Sequence, residues 1–335
     1  MKKIISIFLI IFLVFFYNTG YFVEIRDLIQ EKYLKNDLEI KNDTNDTNDN
    51  KNTDIKKIYN FKQIKIGDSK DSVIKKINKP NRIDKSEYNF NWYVYNAYKE
   101  NLVMVGIKNN KVVALFTNNI DSCENEGIYI NKDIKYIKEN YESLKYKNKG
   151  NIKYEISSNN EYSVIYKNKK YITAFYDKFN KNKICAYQII EKSCEDEIKD
   201  IYAPQDKDIE KSFMYQTIDL VNSTRYKYNL NGLYYNEKAT ICATKHSEDM
   251  KNNDFFDHVN LKKKTPFDRM EKEGIDYLSA GENIAAGQTS AIFVHNGLMN
   301  SQGHRKNILG NYKYIGVGVV FGGKYKTYYT ENFFG

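Results

Sequence analysis

The chain has 335 residues, which exceeds one domain of ordinary size and leaves room for two domains and a targeting segment. Its 41% hydrophobic residues, 17 glycines and 3 prolines are typical of globular domains and exclude a collagen-like or proline-rich fibrous chain. The net charge of +9 comes from lysines dispersed among acidic residues, without a basic stripe interleaved with aromatics. We therefore expect no nucleic-acid partner.

The amino terminus has the pattern of an export signal. Two lysines precede an apolar run over residues 4–17, and no Ala-x-Ala type of cleavage site follows it. Extended to residue 23, the run approaches the ~20 residues that one membrane span requires. Residues 1–23 are therefore interpreted as either a secretory signal peptide or a membrane anchor. The two lysines favour an extracellular location for the rest of the chain, secreted or anchored to the outer face of the cytoplasmic membrane.

Residues 24–54 contain an Asn/Asp/Thr repeat that is too polar to join a core, and they predict a polar stalk. A weak internal repeat follows, because residues 64–77 and 128–141 both change from strand-like to helix-like apolar spacing. Two hairpin patterns, at 102–116 and 171–190, come after the two copies. We predict a smaller duplicated α+β domain over residues 55–205.

The four cysteines are compatible with disulfide bonding in an exported chain. Cys123 could pair with either Cys185 or Cys194, and the sequence does not choose between them. Their spacing matches no zinc motif. Cys242 falls on an apolar helical stripe, which predicts a buried thiol. The charged segment 191–208 is interpreted as a linker between two domains, so we expect residues 206–335 to fold without the front domain.

Residues 206–335 read as helix, loop, helix and then strands. Helix starts are predicted after three capping residues, Asn236, Thr265 and Ser290. A closing β-hairpin turns at Gly322-Gly323. In its first strand Gly316 and Gly318 share one face, where a helix can approach closely. Helices on both sides of a small sheet predict a three-layer α-β-α sandwich, and the overall class is α+β.

All four histidines lie between residues 246 and 304. His246 shares the apolar stripe of Cys242, so we interpret it as a core histidine and not a ligand. His295 could face either a ligand-binding cleft or solvent, and we favour solvent.

Several motifs in register now point to a family. The segments HSEDM, FFDH, GENIAAG, LMNSQGHRKNIL and YIGVGV, in this order, resemble the CAP superfamily of cysteine-rich secretory, antigen 5 and pathogenesis-related proteins. The resemblance covers residues 210–335. In the front half, IGDSKDSVIKKINKPNRI and FNWYVY resemble the amino-terminal domain that accompanies some bacterial members. The resemblance implies that His258, Glu282 and His304 converge on a central cleft that can hold a divalent cation, with zinc as the expected ion.

The chain also departs from the family pattern. Ser301 stands where eukaryotic members carry a second Glu, Leu298 replaces a Trp and Gln302 replaces a Pro. Ser301 and Arg305 complete the set of expected cleft residues. Arg305 either pairs with an anionic ligand or anchors its loop to a carboxylate.

The residues alone give no reaction. The sequence contains no recognisable nucleophile signature, no His-Glu-x-x-His helix and no phosphate-binding loop. We therefore expect an exported cell-envelope module that binds a small apolar or anionic ligand, or a protein partner, without catalysis. The alternative is a metal-dependent extracellular hydrolase or peptidase that uses Glu282 as the base.

Overall fold

A computed structural model describes residues 64–98, 101–118, 126–149, 151–156 and 158–335 of the chain. The expected signal peptide or anchor, the stalk and Cys123 lie outside these described residues. Within them, no helix is long and apolar enough to cross a bilayer.

The front domain is built on a seven-stranded antiparallel sheet with the strand order β1-β2-β3-β4-β9-β8-β7. Its strands are β1 Arg82–Lys85, β2 Asn91–Tyr98, β3 Asn101–Lys108, β4 Lys111–Thr117, β7 Tyr162–Lys167, β8 Lys170–Asp177 and β9 Lys183–Glu191. Its helices are α1 Lys70–Ile77, α2 Ile134–Asn140 and α3 Lys192–Glu197, and a small separate hairpin joins β5 Tyr146–Lys149 to β6 Ile152–Glu155.

The predicted duplication is confirmed by equivalent contacts in the two copies. Gly67 donates its backbone N–H to the carbonyl of Val112 at 2.8 Å, and Asn131 donates to that of Ile184, also at 2.8 Å. Gly67 and Asn131 both have positive φ, 93° and 69°, and each is followed two residues later by a helix N-cap. Each copy therefore places a capped helix against its own strands, which are β1–β4 in the first copy and β7–β9 in the second, and the two sets join between β4 and β9.

The two faces of this sheet bury different partners. One face packs under α1 and α2 in a core of its own that includes Val73 and Ile137. The opposite face contributes Phe116 and Phe175 to a core that continues into the carboxyl-terminal domain. The boundary expected near residue 206 coincides with the start of a helix, but the hydrophobic core is not divided there.

The segment interpreted as a linker is packed structure. Helix α3 lies within it, and both Cys194 and Glu195 are buried. The Glu195 carboxylate forms an ion pair with Lys147 and accepts a 2.8 Å hydrogen bond from the Tyr88 hydroxyl. The charged composition predicted an exposed linker. That prediction was wrong, because the buried Glu195 carboxylate is paired with Lys147 on β5.

The carboxyl-terminal domain has the predicted three layers. Its four-stranded sheet has the order β10-β12-β13-β11. The strands are β10 Tyr234–Tyr235, β11 Ala280–Ala286, β12 Tyr314–Phe321 and β13 Thr327–Phe334. Helices α5 Glu237–Asn252 and α6 Pro266–Lys272 lie on one side, and α4 Lys207–Lys227, α7 Ala291–Met299 and α8 Gln302–Ile308 lie on the other.

Glycine allows the close contact between α5 and the sheet. A Cβ atom at Gly316 would lie 2.2 Å from the Ala239 carbonyl carbon, and one at Gly318 would lie 2.2 Å from the Thr244 nitrogen. Both neighbours are backbone atoms and cannot move aside. The expected close approach of a helix over these glycines is confirmed.

Local signals also set the ends of the elements. Asn236 caps α5 by accepting a hydrogen bond from the Ala239 backbone, and Thr265 forms a reciprocal capping box with Asp268 at the start of α6. The closing hairpin turns through Gly322 and Gly323, both at positive φ. These contacts position the segments that carry the candidate site.

Candidate functional site

Glu282 lies at the centre of the candidate site. The Gly-Glu-Asn motif, whose Gly and Asn predict a turn, instead forms part of β11, where Glu282 pairs opposite Asn332 of β13. Gly and Asn are common in turns, but cross-strand pairing with the carboxyl-terminal strand overrides that local preference. The result is a carboxylate fixed on a rigid strand and almost completely buried.

Both carboxylate oxygens of Glu282 have partners. Its Oε1 lies 2.9 Å from His258 Nδ1, and its Oε2 accepts a 2.6 Å hydrogen bond from Arg269 Nη2. Arg269 also donates to the His258 carbonyl at 2.7 Å. Arg269, which sequence reasoning missed, therefore ties the β11 carboxylate to the His258 loop and balances the buried negative charge.

His258 and His304 are the two imidazoles of the predicted cleft. The Ser-Gln-Gly-His segment predicts a loop, but His304 lies in the first turn of α8, with its Nδ1 2.8 Å from the Ser301 hydroxyl. Burial lowers the pKa of His304 below the ordinary value of 6.5, and the nearby charge of His258 lowers it further. Each imidazole makes its bond through Nδ1, so Nε2 is the nitrogen left to contact a ligand.

The predicted metal set His258, Glu282 and His304 fits an ion only in part. No group of three or more His, Cys, Asp or Glu residues in the described ranges is arranged to hold a metal ion. Glu282 instead contacts the imidazole of His258, as carboxylates behind metal-binding histidines commonly do. The donor set therefore corresponds to two imidazole ligands supported by a carboxylate, and a zinc ion at this position remains a prediction.

His246 is a buried core histidine, as predicted. Its Nε2 lies 3.0 Å from the Asp257 carbonyl and 3.9 Å from Glu282 Oε1. Burial lowers its pKa, and the Glu282 charge partly offsets this effect. Its position supports the loop that leads to His258.

His295 is not exposed to solvent, and the prediction that favoured solvent was wrong. The side chain is buried, with Nε2 2.7 Å from the Thr224 hydroxyl of α4. Burial lowers its pKa to about 3, with smaller contributions from Lys227 and Arg305. The front domain covers this face of α7, and the sequence gives no sign of that covering. Leu298 is likewise part of the apolar core, whereas Gln302 is exposed.

Arg305 anchors its loop to a carboxylate and does not pair with a ligand, which is the second of the two roles that the sequence left open. Its Nη1 and Nη2 atoms each lie 3.0 Å from an oxygen of Asp177, at the end of β8 in the front domain. Nη2 also donates to the Tyr228 hydroxyl at 2.5 Å. The guanidinium therefore joins the two domains instead of facing a ligand in the cleft.

We expect Arg305→Lys to destabilise the chain, because an ammonium group cannot reproduce the bidentate contact with Asp177. The loss should be about 1–3 kcal/mol in a urea unfolding experiment, since the pair is mostly buried. Lys306→Ala, an exposed neighbour, is the matched control. Equal unfolding midpoints for Arg305→Lys and the wild type would contradict this role.

A polar layer lies behind Glu282. Asn307 donates to the Glu282 carbonyl at 3.1 Å and to Asn283 Oδ1 at 2.9 Å. Asn283 in turn donates to Glu331 Oε2 at 2.9 Å and to the His304 carbonyl at 3.2 Å. Burial raises the pKa of Glu331 to about 7, and the bond from Asn283 only partly opposes this rise.

This buried carboxyl predicts a pH dependence of stability. The pKa of Glu331 rises on folding from 4.5 to about 7. The folded state therefore binds the carboxyl proton more tightly than the unfolded state does, and this contribution to the free energy of unfolding is complete below pH 4.5 and is lost as pH rises through 7. Glu331→Gln should therefore be more stable than the wild type at pH 8, by roughly 3 kcal/mol. Urea unfolding at pH 5 and 8 measures the difference, with the exposed Glu139→Gln as control. An unchanged pH profile in Glu331→Gln would contradict the assignment.

Comparisons with known proteins match both domains of the chain. The cysteine-rich secretory protein family model matches residues 218–333, and the CAP-associated N-terminal model matches residues 66–202. The uncharacterized membrane protein YlbC of Bacillus subtilis (strain 168) is 30% identical over 293 residues, covering 80% of this chain and 82% of that protein.

Two solved structures have the same fold. An extracellular protein containing an SCP domain from Bacillus anthracis str. Ames has a TM-score of 0.67 and 26% identity, covering 88% of this chain and 99% of that one. A cysteine-rich secretory protein from Staphylococcus aureus subsp. aureus Mu50 has a TM-score of 0.62 and 16% identity, covering 80% of this chain and 91% of that one.

The relatives also bear on location, since one is named a membrane protein and one an extracellular protein. They support an extracellular or membrane-associated position for a bacterial protein of this type. Because both of its domains are matched, the chain belongs to the cysteine-rich secretory protein (CAP) family and carries a CAP-associated domain in front.

Proposed function

We propose that the protein is an exported cell-envelope binding module whose cleft contacts its ligand through His258 and His304, without catalysis. One observation carries the proposal: both oxygens of Glu282 are engaged, one by His258 and the other by Arg269. With one oxygen held at 2.6 Å by Arg269 and the other at 2.9 Å by His258, neither carboxylate oxygen is left facing a water in the cleft. This pairing counts against the alternative of a hydrolase with Glu282 as base.

The accessible groups of the cleft support a binding role. The His258 side chain is 45% exposed, whereas that of Glu282 is 1% exposed, so a ligand meets the imidazole first. An exposed apolar group, Phe256, lies two positions before His258, and Val259 follows it. A polar contact group beside an apolar surface suits a small ligand or a protein partner of the envelope.

A sedimentation experiment tests this function directly. Full-length chain is mixed with an isolated bacterial envelope preparation, and the bound fraction is measured for the wild type and for His258→Ala/His304→Ala. We expect the double variant to lose most of the binding, while Gln302→Ala, an exposed position beside the site, retains it. Soluble fragments released from the envelope in a Glu282-dependent reaction would establish a hydrolase and overturn the proposal.

A divalent cation is part of the same proposal, with zinc as the ion best matched to two imidazole nitrogens. We expect His258→Ala and His304→Ala each to weaken zinc binding at least about tenfold, because one of two protein ligands is lost. Ser301→Glu should strengthen it by adding a carboxylate beside His304. Isothermal titration of the full chain at neutral pH measures all three affinities.

The zinc affinity should also depend on pH. Imidazole binds metal only when neutral, so affinity should fall as pH drops below about 6.5. The lowered pKa of His304 keeps that imidazole neutral to a lower pH than an ordinary histidine. If zinc affinity were unchanged in both His→Ala variants, the constellation would be structural, and the cleft would serve only as a ligand or partner surface.

A further inference from the structure

A turn that follows His258 presents apolar and basic side chains together. It consists of residues 259–264, and we call it the lysine turn. Val259 and Leu261 are both exposed, Leu261 by 62%, and so are the three lysines at 262–264. Phe267, another exposed apolar group, follows in the first turn of α6. Exposed apolar groups that occur together on a folded surface mark an interaction site.

Hydrogen bonds hold the lysine turn in one conformation. The Asn260 side chain accepts from the backbone N–H of Lys262 at 3.1 Å and of Lys264 at 2.9 Å. The Asn260 carbonyl accepts from the Lys263 N–H at 2.8 Å. The Lys264 carbonyl in turn accepts a 3.0 Å bond from Arg269. Because its backbone groups already have partners, the turn presents its apolar and basic side chains to water without further folding.

The positive charges of the lysine turn exceed the acidic charges that flank it. Residues 257–268 contain three lysines and two aspartates. No ion pair among the described residues includes any of these three lysines. The aspartates bond to nearby backbone: Asp257 accepts from the Val259 N–H and Asp268 from the Thr265 N–H, each at 2.8 Å. The three ammonium groups are therefore accessible to an anionic partner.

The turn of the closing hairpin repeats this mixture of side chains. The rings of Phe256 and Tyr325 are both exposed, and their centroids lie 6.1 Å apart. Tyr325 lies between two exposed lysines, of which Lys324 is 3.7 Å from Asp254. Apolar groups interspersed with lysines are typical of surfaces that lie at a membrane interface.

We propose that the lysine turn docks on an anionic phospholipid bilayer, with Leu261 at the boundary of the acyl chains and the lysines at the phosphate groups. A bilayer is favoured over a protein partner, because lysine is depleted in protein–protein interfaces but is attracted to anionic headgroups. Burial of Leu261 contributes roughly tenfold to the affinity. Each lysine contributes roughly fivefold.

Docking of this kind goes beyond the function proposed above. It does not require a ligand in the cleft, because none of its contacts involves Glu282 or His304. It would, however, bring His258 next to the lipid headgroups, since His258 directly precedes the turn. The cleft would then face the membrane surface.

Tryptophan fluorescence tests docking directly, because the single tryptophan of the chain, Trp92, is buried. Leu261→Trp adds an apolar reporter to the lysine turn. When the full chain is mixed with phosphatidylglycerol vesicles, we expect the emission of this reporter to shift to shorter wavelength and to be quenched by brominated acyl chains. Tyr146→Trp, an exposed reporter in the front domain, should show neither change. The signal comes from the turn itself, so it does not depend on how residues 1–23 contact the vesicle.

Charge removal tests the electrostatic contribution. In the Leu261→Trp chain, replacement of the three lysines of the turn by glutamine should abolish most of the shift. The matched control removes the same charge from exposed lysines of the front domain and should retain the shift, in the variant Lys135→Gln/Lys138→Gln/Lys145→Gln.

Loss of the cleft imidazoles separates docking from the proposed function. His258→Ala/His304→Ala in the reporter chain should retain the shift even though it loses cleft binding. If circular dichroism shows that Leu261→Trp alters folding, Val259→Trp replaces it as the reporter with the same expectations.

Several results would overturn the proposal. They are no shift with phosphatidylglycerol vesicles, an equal shift with phosphatidylcholine vesicles, and a full shift without the three lysines. The same shift produced by soluble polyphosphate in the absence of lipid would assign the turn to an anionic polymer and would equally exclude a bilayer as its partner.

Discussion

Expressed without the front domain, residues 206–335 are expected to lose most of their stability, by more than about 5 kcal/mol. The large side chains Leu220 and Phe293 face the front domain. The ring centroid of Phe293 lies 5.2 Å from those of Tyr162 and Phe175. Exposing each of these side chains to water costs about 1.5–3 kcal/mol.

Thermal unfolding followed by circular dichroism measures this effect. The fragment is compared with a chain of residues 56–335, which keeps both domains in one compact unit. We expect the fragment to bind a hydrophobic dye and to show no cooperative transition at temperatures where the longer chain is folded. A cooperative transition at the same midpoint would restore the simple expectation from the sequence that residues 206–335 fold alone.

Gly318→Val should prevent the carboxyl-terminal domain from folding, or destabilise it by at least about 4 kcal/mol. The added Cβ would lie 2.2 Å from the Thr244 nitrogen and 2.3 Å from the Ala243 carbonyl carbon, so α5 would have to separate from the sheet. Overpacking of this kind forces the backbone to move. The yield of soluble protein and its urea midpoint report the change.

Gly297→Ala is the matched control, because a Cβ there meets nothing within 4 Å and the residue lies within α7. It should be neutral or slightly stabilising, since alanine favours a helix more than glycine does. A stable, soluble Gly318→Val protein would show that α5 does not depend on this close contact.

Much of the fold follows from local signals in the sequence. The helix starts at Asn236 and Thr265 depend on capping groups that act within three residues of themselves. The glycines on one face of β12 predicted a close helix because their spacing matches the period of a strand. The internal repeat predicted a duplicated domain because each copy encodes the same strand and helix.

Other features depend on contacts between residues far apart in the chain, which periodicity does not reveal. The sequence favours a solvent position for His295, because the residue pattern of its own helix does not reveal that the front domain covers this side chain. Arg305 left two possibilities open, and its partner Asp177 lies 128 positions away. The segment 191–208 was interpreted as a linker because its charged composition does not show that Glu195 is neutralised by Lys147.

The candidate site was predicted in part. The family motifs identified His258, Glu282 and His304, and the structure brings His258 into contact with Glu282. The motifs did not identify Arg269. Because Arg269 binds Glu282, this carboxylate is held against the His258 imidazole and is not free to act as a metal ligand. Arg269 is only three positions after Pro266 on α6, but its role depends on a tertiary contact with β11.

The most direct test of the binding cleft is a zinc titration of the full chain followed by the imidazole NMR signals. Only four histidines are present, so their signals can be assigned by single substitutions. We predict that His258 and His304 shift together and saturate at one zinc ion per chain, while His246 and His295 stay unchanged. Shifts at His246 or His295, with His258 and His304 unmoved, would contradict a cleft built on those two imidazoles.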